Sequence, residues 1–256
     1  VDIANHRLFV SDYSRHRVLV FQLDTMDRPA PNRNAFAVIG QTSFNDCTGF
    51  SASRNRFNGP GALAFDDVRN RLFVADTFNH RVLEFDTQTI QNGMDARRVL
   101  GQPNFEDSGM PTPSATSLMT PAGLAVDADR GRLFVSDGTF HRVLVFNGLG
   151  NDGGLVDNVD AGIVLGQSNF TSWDYALSQS RFSSPRGLAL DPAQNRLFVA
   201  DTVNRRVLVF NAAALANGMD ASIVLGPSEF ESSGVTASDG GFSSPWSLAF
   251  DRSTSR

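Results

Sequence analysis

The chain contains no lysine, and all 22 of its basic residues are arginine. It has one cysteine, Cys47, so no disulfide bond can form within the chain. No apolar run approaches the roughly 18 residues that suggest a membrane span. The net charge is −5, which argues against broad electrostatic attraction to nucleic acid or to anionic lipid. These absences leave a water-soluble globular protein without membrane insertion as the expected class.

One fifteen-residue sequence motif occurs four times along the chain. Each copy begins with RLFV and ends with RVL-x-F, and a tip rich in turn-forming residues separates two apolar runs, which predicts a β-hairpin. The copies are Arg7–Phe21, Arg71–Phe85, Arg132–Phe146 and Arg196–Phe210. Their starting points are 61 to 64 residues apart. A fixed period of this kind is the strongest signal that a sequence can give about its architecture.

Each period holds two further apolar runs, one after a proline and one ending in a glycine. Four short strands per period predict a four-stranded antiparallel blade, and radial packing of blades covers both faces of such strands. The predicted fold is an all-β propeller with about four blade equivalents, and a solenoid is the alternative. The predicted blades comprise 7–42, 59–102, 120–167 and 184–227, with 245–251 as the first strand of the next or closing blade.

The first and last residues occupy the same place in the repeat. Residues 1–7 match residues 250–256, so the chain reads as strands two to four of one blade, three full blades, and one further strand. That strand either completes the first blade and closes a four-bladed ring, or the chain is a window of a longer array. The overlap favours the window, and we expect head-to-tail self-association or further blades. Any targeting segment is expected upstream of Val1.

A connection of about 18 residues joins each fourth strand to the next proline. Each connection carries an aromatic residue near its start and an apolar residue near its end. We interpret these two residues as anchors that hold the loop to the body of the protein. The anchors are Phe44, Phe105, Phe170 and Phe230, then Phe57, Leu118, Phe182 and Phe242. Long loops often carry function. We therefore expect recognition on the face where these loops and the hairpin tips project together.

An aspartate and an arginine recur at one spacing across every hairpin tip. The pairs are Asp12 and Arg17, Asp76 and Arg81, Asp137 and Arg142, and Asp201 and Arg206. An aspartate at a strand end can accept bonds from turn N–H groups, and an arginine fork can bind it or a neighbouring blade. Because a catalytic site would normally break the repeat, these pairs indicate a structural role.

Three of the four histidines occupy one position in the hairpin. They are His16, His80 and His141, and the fourth copy has Arg205. A ring of equivalent histidines could in principle bind a metal. However, these hairpins should lie away from the axis of a propeller, so the histidine rings should be too far apart to bind one metal ion together. We expect surface hairpin residues instead, and no metal.

The residue after each inner-strand proline is predicted to lie at the mouth of the central channel. These positions are Gly61, Ala122, Arg186 and Trp246. Arg186 and Trp246 stand in neighbouring repeats and could stack. Such a pair could bind a ligand, with the arginine holding an anion and the tryptophan supplying flat apolar area. Alternatively, the two side chains merely fill the channel.

Two motifs resemble those of the NHL-repeat family. They are DTFNHRV at Asp76–Val82 and Pro-x-Gly-Leu-Ala-x-Asp at Pro121–Asp127 and Pro185–Asp191. The resemblance extends over essentially the whole chain and implies a β-propeller. The V-L-G-Q ending of the fourth strand is similar to that of bacterial NHL-like proteins, many of them exported, which implies an extracellular or periplasmic location.

The resemblance leaves several functions open, because such propellers include RNA-binding modules, sensor domains, amidating lyases and binding proteins. In the lyases a zinc-binding histidine follows the inner-strand proline, and none of the four matching positions here is histidine. We therefore expect a non-catalytic binding or scaffold module with no cofactor, which recognises a protein, peptide or glycan through its loop-rich face.

Two alternatives remain open at this point. One is a metal-dependent propeller lyase or hydrolase whose ligands lie partly outside this chain. The other is an RNA-binding module with an arginine-rich loop face formed by Arg54, Arg56, Arg181 and Arg186. Acidic loop residues such as Glu106 reduce the positive charge of that face, so nucleic acid is the less expected partner. The sequence does not identify the ligand.

Overall fold

The computed structural model describes residues 1–29, 34–46, 50–148, 157–232 and 240–251. Cys47 and residues 252–256 lie outside these ranges. Blade 1 has three strands, and blades 2, 3 and 4 have four strands each, all antiparallel to their neighbours and in chain order. This arrangement confirms the predicted all-β propeller. The only helical segments assigned in the described residues are 3₁₀ turns at two hairpin tips, Tyr13–Arg15 and Thr77–Asn79.

The strands of each blade are paired in sequence order, and in blades 2, 3 and 4 the first of them is the inner strand. Blade 1 comprises β1 (Arg7–Asp12), β2 (Arg17–Gln22) and β3 (Ala37–Ile39). Blade 2 comprises β4 (Pro60–Asp66), β5 (Arg71–Asp76), β6 (Arg81–Asp86) and β7 (Arg98–Leu100). Blade 3 comprises β8 (Pro121–Asp127), β9 (Arg132–Asp137), β10 (Arg142–Phe146) and β11 (Ile163–Leu165). Blade 4 comprises β12 (Pro185–Asp191), β13 (Arg196–Asp201), β14 (Arg206–Asn211) and β15 (Ile223–Leu225).

The repeated fifteen-residue motif forms a hairpin in every blade. This hairpin consists of the second and third strands in blades 2 to 4, and of β1 and β2 in blade 1. In blade 2, Asp76 pairs directly with Arg81 at the tip of β5 and β6. The residue before the arginine takes the left-handed backbone conformation in all four copies, as at His80 with φ 57°. All six residues of β5 are buried. Burial on both faces explains why these strands do not alternate between apolar and polar residues.

Three apolar clusters hold the blades together, and each cluster spans two neighbouring blades. Phe73 and Phe134 are fully buried in the clusters that join blades 2 to 3 and 3 to 4. Burying one such side chain stabilises the fold by roughly 1.5–3 kcal/mol. The blades are therefore held by side-chain packing between sheets, as expected for a radial arrangement.

Residues 245–251 lie beside blade 4 and form no ladder strand. Thr202 donates a hydrogen bond to the carbonyl of Pro245 at 2.7 Å, as Thr77 does to Pro121 between blades 2 and 3 at 2.9 Å. The segment therefore takes the place next to blade 4 that the inner strand of a following blade would take. Among the described residues it does not join the three-stranded sheet of blade 1.

The inner strand of each complete blade carries a β-bulge directly after its proline, as between Pro121 and Gly123. A Cβ atom at Gly123 would lie 2.0 Å from the carbonyl oxygen of Arg186, so only glycine permits this approach of neighbouring inner strands. Ser136 strengthens the same contact by donating to that carbonyl oxygen at 2.6 Å. The bulges bring the residues that follow each proline close to the axis.

The histidines of the hairpin tips connect each blade to the next one. The Nδ1 atom of His16 accepts a hydrogen bond from the Gly59 backbone at 2.9 Å, and that of His141 accepts one from Ser184 at 3.0 Å. His80 donates to the carbonyl of Met119. The rings are only partly exposed, and they bridge blades instead of standing free on the surface as the sequence suggested.

Candidate functional site

The predicted channel-mouth residues all line one cleft of about 660 Å³ at the centre of the molecule. Gly61, Ala122, Arg186 and Trp246 enter it from four successive positions around the axis. In blade 2 the start of the inner strand pairs with the tip of the hairpin, since Pro60 lies opposite Asp76. The cleft therefore opens on the side of the molecule that carries the hairpin tips.

Arg186 stacks on the indole ring of Trp246 in this cleft. Its guanidinium carbon lies 3.8 Å from the ring centroid, within the range of a favourable cation–π contact. The backbone holds the pair, because the Gly187 amide donates to the Trp246 carbonyl at 3.0 Å. Glycine is needed there, since a Cβ at Gly187 would lie 2.7 Å from the Cα of Ser247.

The guanidinium of Arg186 stays positively charged and open to the cleft. Partial burial lowers the pKa of Arg186 from its ordinary value, and the neighbouring Tyr13 opposes that shift; arginine nevertheless remains protonated in proteins. Within the described ranges, no carboxylate forms an ion pair with Arg186 and no acceptor bonds its guanidinium. The cleft thus contains a cation with free hydrogen-bond donors.

Exposed aromatic side chains lie at or against the hairpin tips, on the face where the cleft opens, and we call them the aromatic rim; Tyr13 and Trp246 are the two that line the cleft itself. Their exposed fractions range from 47% to 71%, although aromatic side chains of this size are usually largely buried. The rim consists of Tyr13, Phe50, Phe78, Trp173, Tyr175 and Trp246. Contacts with neighbouring rings hold several of them, as for Tyr13 against Phe78 at 5.7 Å and Tyr175 against His141 at 5.4 Å.

The sequence predicted the cleft but not the rim. Five members of the rim lie in hairpin tips or long loops, where equivalent positions differ between repeats. Position 13 is tyrosine in the first copy but threonine at Thr77 and glycine at Gly138. The one usable signal was the presence of Trp173 and Tyr175 in a loop rich in small polar residues.

The repeated arginine of each hairpin tip forms the centre of a buried polar cluster. In blade 2, Arg81 is fully buried and donates to Asp76 at 2.8 Å. It also donates to the carbonyls of Ser53 and Arg56, both at 2.9 Å, and to that of Phe105. One guanidinium therefore ties the hairpin tip to the loop that precedes the blade and to the loop that follows it.

The other blades repeat this cluster. Arg206 binds Asp201 at 2.7 Å, the carbonyls of Ser178 and Arg181 at 2.7 and 2.9 Å, and that of Phe230. The carbonyls bound after the fourth strand belong to the predicted loop anchors Phe44, Phe105, Phe170 and Phe230. The arginine and the phenylalanine recur together because the arginine side chain donates to the phenylalanine carbonyl in every blade.

The clusters differ in how closely their charges pair. In blade 1, Arg17 donates to Asp12 at 2.9 Å, but Asp12 keeps 30% of its side chain exposed. In blade 3, Arg142 lies 3.7 Å from Asp137 and bonds mainly the loop carbonyls. Burial raises the pKa of Asp201, while bonds from Ser183 and Arg206 oppose the rise.

Blade 2 contains a buried ion pair that no other blade has at this position. Glu84 and Arg98 face each other across β6 and β7 with a nitrogen–oxygen distance of 3.5 Å, and each side chain is 1% exposed. Arg71 also lies 3.5 Å from Glu84. Burial raises the pKa of Glu84 and lowers that of Arg98 to about 10. The equivalent pairs are apolar, namely Val20 with Ala37, Val145 with Ile163, and Val209 with Ile223.

Three of the four arginines predicted to form an RNA-binding face make contacts with other residues of the protein. Arg54 stacks on Phe105 at 3.9 Å, Arg56 pairs with Asp46 at 3.2 Å, and Arg181 donates to the Gln167 side chain at 2.8 Å. Of the four arginines in that prediction, Arg186 alone directs its charge into the cleft.

Two further features concern the described part of the chain, residues 1–29, 34–46, 50–148, 157–232 and 240–251. No group of three or more histidine, cysteine, aspartate or glutamate side chains is placed to hold a metal ion. No helix has the length and the apolar character that crossing a bilayer requires.

Comparison with known proteins identifies the repeat. The family described as NHL repeat matches residues 182–210. NHL repeat-containing protein 2 of Bos taurus is 30% identical over 149 residues, which cover 58% of this chain and 18% of that protein. The protein of the same name from Homo sapiens is 29% identical over 151 residues, covering 59% and 19%. The chain thus spans less than a fifth of the length of these curated relatives.

Among solved structures, a chain in the crystal structure of a nidogen/laminin complex superposes with a TM-score of 0.57 at 17% identity. The match covers 97% of this chain and 65% of that one, and it supports the propeller fold alone. The repeat match and the curated relatives agree with the motifs in the hairpins and inner strands. The chain contains an NHL repeat at residues 182–210 and is similar to NHL repeat-containing proteins.

Proposed function

We propose that this NHL-repeat propeller is a non-catalytic binding module that recognises a protein, peptide or glycan ligand through the face bearing the cleft and the aromatic rim. The observation that carries the proposal is the cleft itself, in which Arg186 stacks on Trp246 with its donors free. A cation without a partner in a concave site is what a ligand of opposite charge would bind.

The composition of the rim supports a macromolecular ligand. Tyrosine, tryptophan and arginine are the residue types that contribute most binding energy in protein interfaces. An exposed group of such residues on the face that carries a cleft is typical of an interaction surface. The superposed solved structure contains a complex between nidogen and laminin, which gives an example of a propeller-like chain in a protein complex.

The arginine contacts weigh against the RNA alternative. Arg56 and Arg181 bind polar side chains within the protein, so they would have to break these contacts to bind phosphates. Phosphate contacts dominate affinity for nucleic acid, and a chain with a net charge of −5 provides little general attraction. We therefore propose a protein, peptide or glycan ligand in preference to RNA.

A selection experiment tests the proposal. The purified protein would be panned against a displayed peptide library and applied to a glycan array, in parallel with Trp246→Ala and Val68→Ala variants. Val68 is 60% exposed but lies in the turn between β4 and β5, at the opposite end of the blade from the hairpin tip. Selected ligands should bind the wild type and the Val68→Ala variant, and binding should fall at least tenfold with Trp246→Ala.

Two results would contradict the proposal. The first is that neither library yields a ligand. The second is that ligands lose binding with Val68→Ala but keep it with Trp246→Ala, which would place recognition on the other face.

A further inference from the structure

The charge of the cleft differs from the charge of the chain. The whole chain has 27 acidic and 22 basic residues, yet Arg186 is the one charged side chain among the described residues that line the cleft. No acidic side chain of the lining neutralises it. The cleft therefore attracts an anion even though the protein as a whole is acidic.

The single positive charge of Arg186 matches one carboxylate better than a phosphate. A guanidinium offers two parallel N–H groups that match the two oxygens of a carboxylate. A phosphate monoester carries nearly two negative charges near neutral pH, and the lining supplies one positive charge to meet them. Stacking on Trp246 at 3.8 Å fixes the plane of the guanidinium and leaves its edge free for this interaction.

The remainder of the lining favours a peptide over a sugar. Leu63, Ala122, Leu124 and Leu188 line the cleft with apolar area, and apart from Thr77 the hydroxyl groups of Ser11, Tyr13 and Ser247 are its few uncharged polar side chains. The hydroxyl of Thr77 is already bonded to the Pro121 carbonyl at 2.9 Å. A sugar ring needs polar partners for its hydroxyl groups, whereas an apolar residue beside an acidic one needs only the apolar wall.

From these observations we propose that the cleft is a carboxylate-binding subsite for an acidic peptide segment of a protein ligand. The carboxylate of an aspartate or glutamate side chain binds the edge of the Arg186 guanidinium, and neighbouring apolar side chains contact the cleft wall and the aromatic rim. This inference rests on the proposed binding function and adds the chemical class of the ligand.

The two tryptophans of the chain allow a direct measurement. With the second tryptophan removed by Trp173→Phe, the indole fluorescence of the protein reports on Trp246. The probes are two pools of N-acetylated, C-amidated tripeptides with varied outer residues, one pool with aspartate in the middle and the other with asparagine. The aspartate pool should change the Trp246 emission at concentrations at least tenfold lower than the asparagine pool.

Variants at Arg186 identify the group responsible. In the Trp173→Phe background, Arg186→Gln should remove the difference between the two pools, and Arg186→Lys should keep part of it through charge alone. The denaturant midpoint of both variants should equal that of the parent. Equal binding of the two pools by the parent protein would overturn the carboxylate subsite, whereas ligands from the library selection would still support the binding module.

Other outcomes also contradict the inference. Tighter binding of a phosphoserine tripeptide pool or of glucuronate than of the aspartate pool would assign the cleft to a different ligand class. Absence of any peptide response, together with a large fall in the denaturant midpoint of Arg186→Gln, would show that Arg186 and Trp246 only fill the channel.

Discussion

Blade 4 contains two arginines with opposite surroundings. Arg206 is fully buried, and its guanidinium binds Asp201 and three loop carbonyls. Arg186 opens into the central cleft, stacks on Trp246, and has no carboxylate partner among the described residues. Arg206 has an equivalent in every blade, whereas the matching positions of Arg186 hold glycine, alanine and tryptophan.

The difference teaches how to separate structural from functional residues in a repeat protein. A residue that every blade needs for its own loops recurs in every repeat, as Arg206 does. A ligand binds the assembled molecule at one place, so the residues that bind it need not recur. Departures from the repeat therefore identify candidates for function, although Glu84 and Arg98 show that a departure can also lie inside the packing of one blade.

The largest expected effect is on Arg206. Replacing Arg206 with alanine leaves the buried Asp201 carboxylate without its cation and leaves three loop carbonyls without a donor. Loss of one partner of a buried ion pair typically destabilises by about 3–5 kcal/mol. Chemical denaturation should show this loss, while Arg186→Ala should stay within about 0.5 kcal/mol of the wild type. Similar losses in both variants would remove the distinction.

The Glu84–Arg98 pair should respond differently to one substitution and to two. Glu84→Val leaves Arg98 buried without its carboxylate and should destabilise by about 3 kcal/mol. Adding Arg98→Ile copies the apolar pair of Val145 with Ile163 and should restore the wild-type stability or exceed it, because such a pair has no desolvation cost. A double variant as unstable as the single one would contradict this account of blade 2.

The destabilisation caused by replacing a repeated aspartate with alanine should increase with the burial of that aspartate. Asp76 is fully buried and accepts bonds from Arg81 and from the Asn58 backbone. Asp76→Ala should destabilise by about 1–3 kcal/mol through the donors that it leaves unpaired. Asp12, with 30% of its side chain exposed, provides the matched variant, and Asp12→Ala should cost less. Equal denaturant midpoints for the two variants would show that burial does not set the cost.

A smaller effect is expected from pH at His141. Burial lowers the pKa of His141 from its ordinary value of 6.5, and its Nδ1 atom accepts the Ser184 amide hydrogen bond. Between the lowered folded pKa and 6.5, the unfolded chain binds more protons than the folded one, so stability falls as pH decreases through this range. His141→Asn keeps an acceptor without titrating. Its stability should fall less than that of the wild type between about pH 7 and pH 5.5, measured by denaturation at each pH; an identical decrease would exclude His141 as the source.

The hairpins, the blades and the channel-mouth positions could be predicted because they follow short patterns that recur at a fixed period. The Asp76 and Arg81 pair was predicted for the same reason. The aromatic rim could not be predicted, since Trp173 and Tyr175 lie in a long loop whose conformation depends on contacts with distant residues such as His141. The bridging role of the histidines also needed the relative position of two blades, which no local pattern specifies.

The most direct test of the account measures two properties of two variants in parallel. Arg186→Gln and Arg206→Gln would be compared in the Trp173→Phe background for denaturant midpoint and for binding of the aspartate tripeptide pool. The account predicts that Arg186→Gln keeps the midpoint and loses the preference for aspartate, while Arg206→Gln has a much lower midpoint. It would be contradicted if Arg186→Gln lowered the midpoint as much as Arg206→Gln, or if it bound the aspartate pool as tightly as the parent protein.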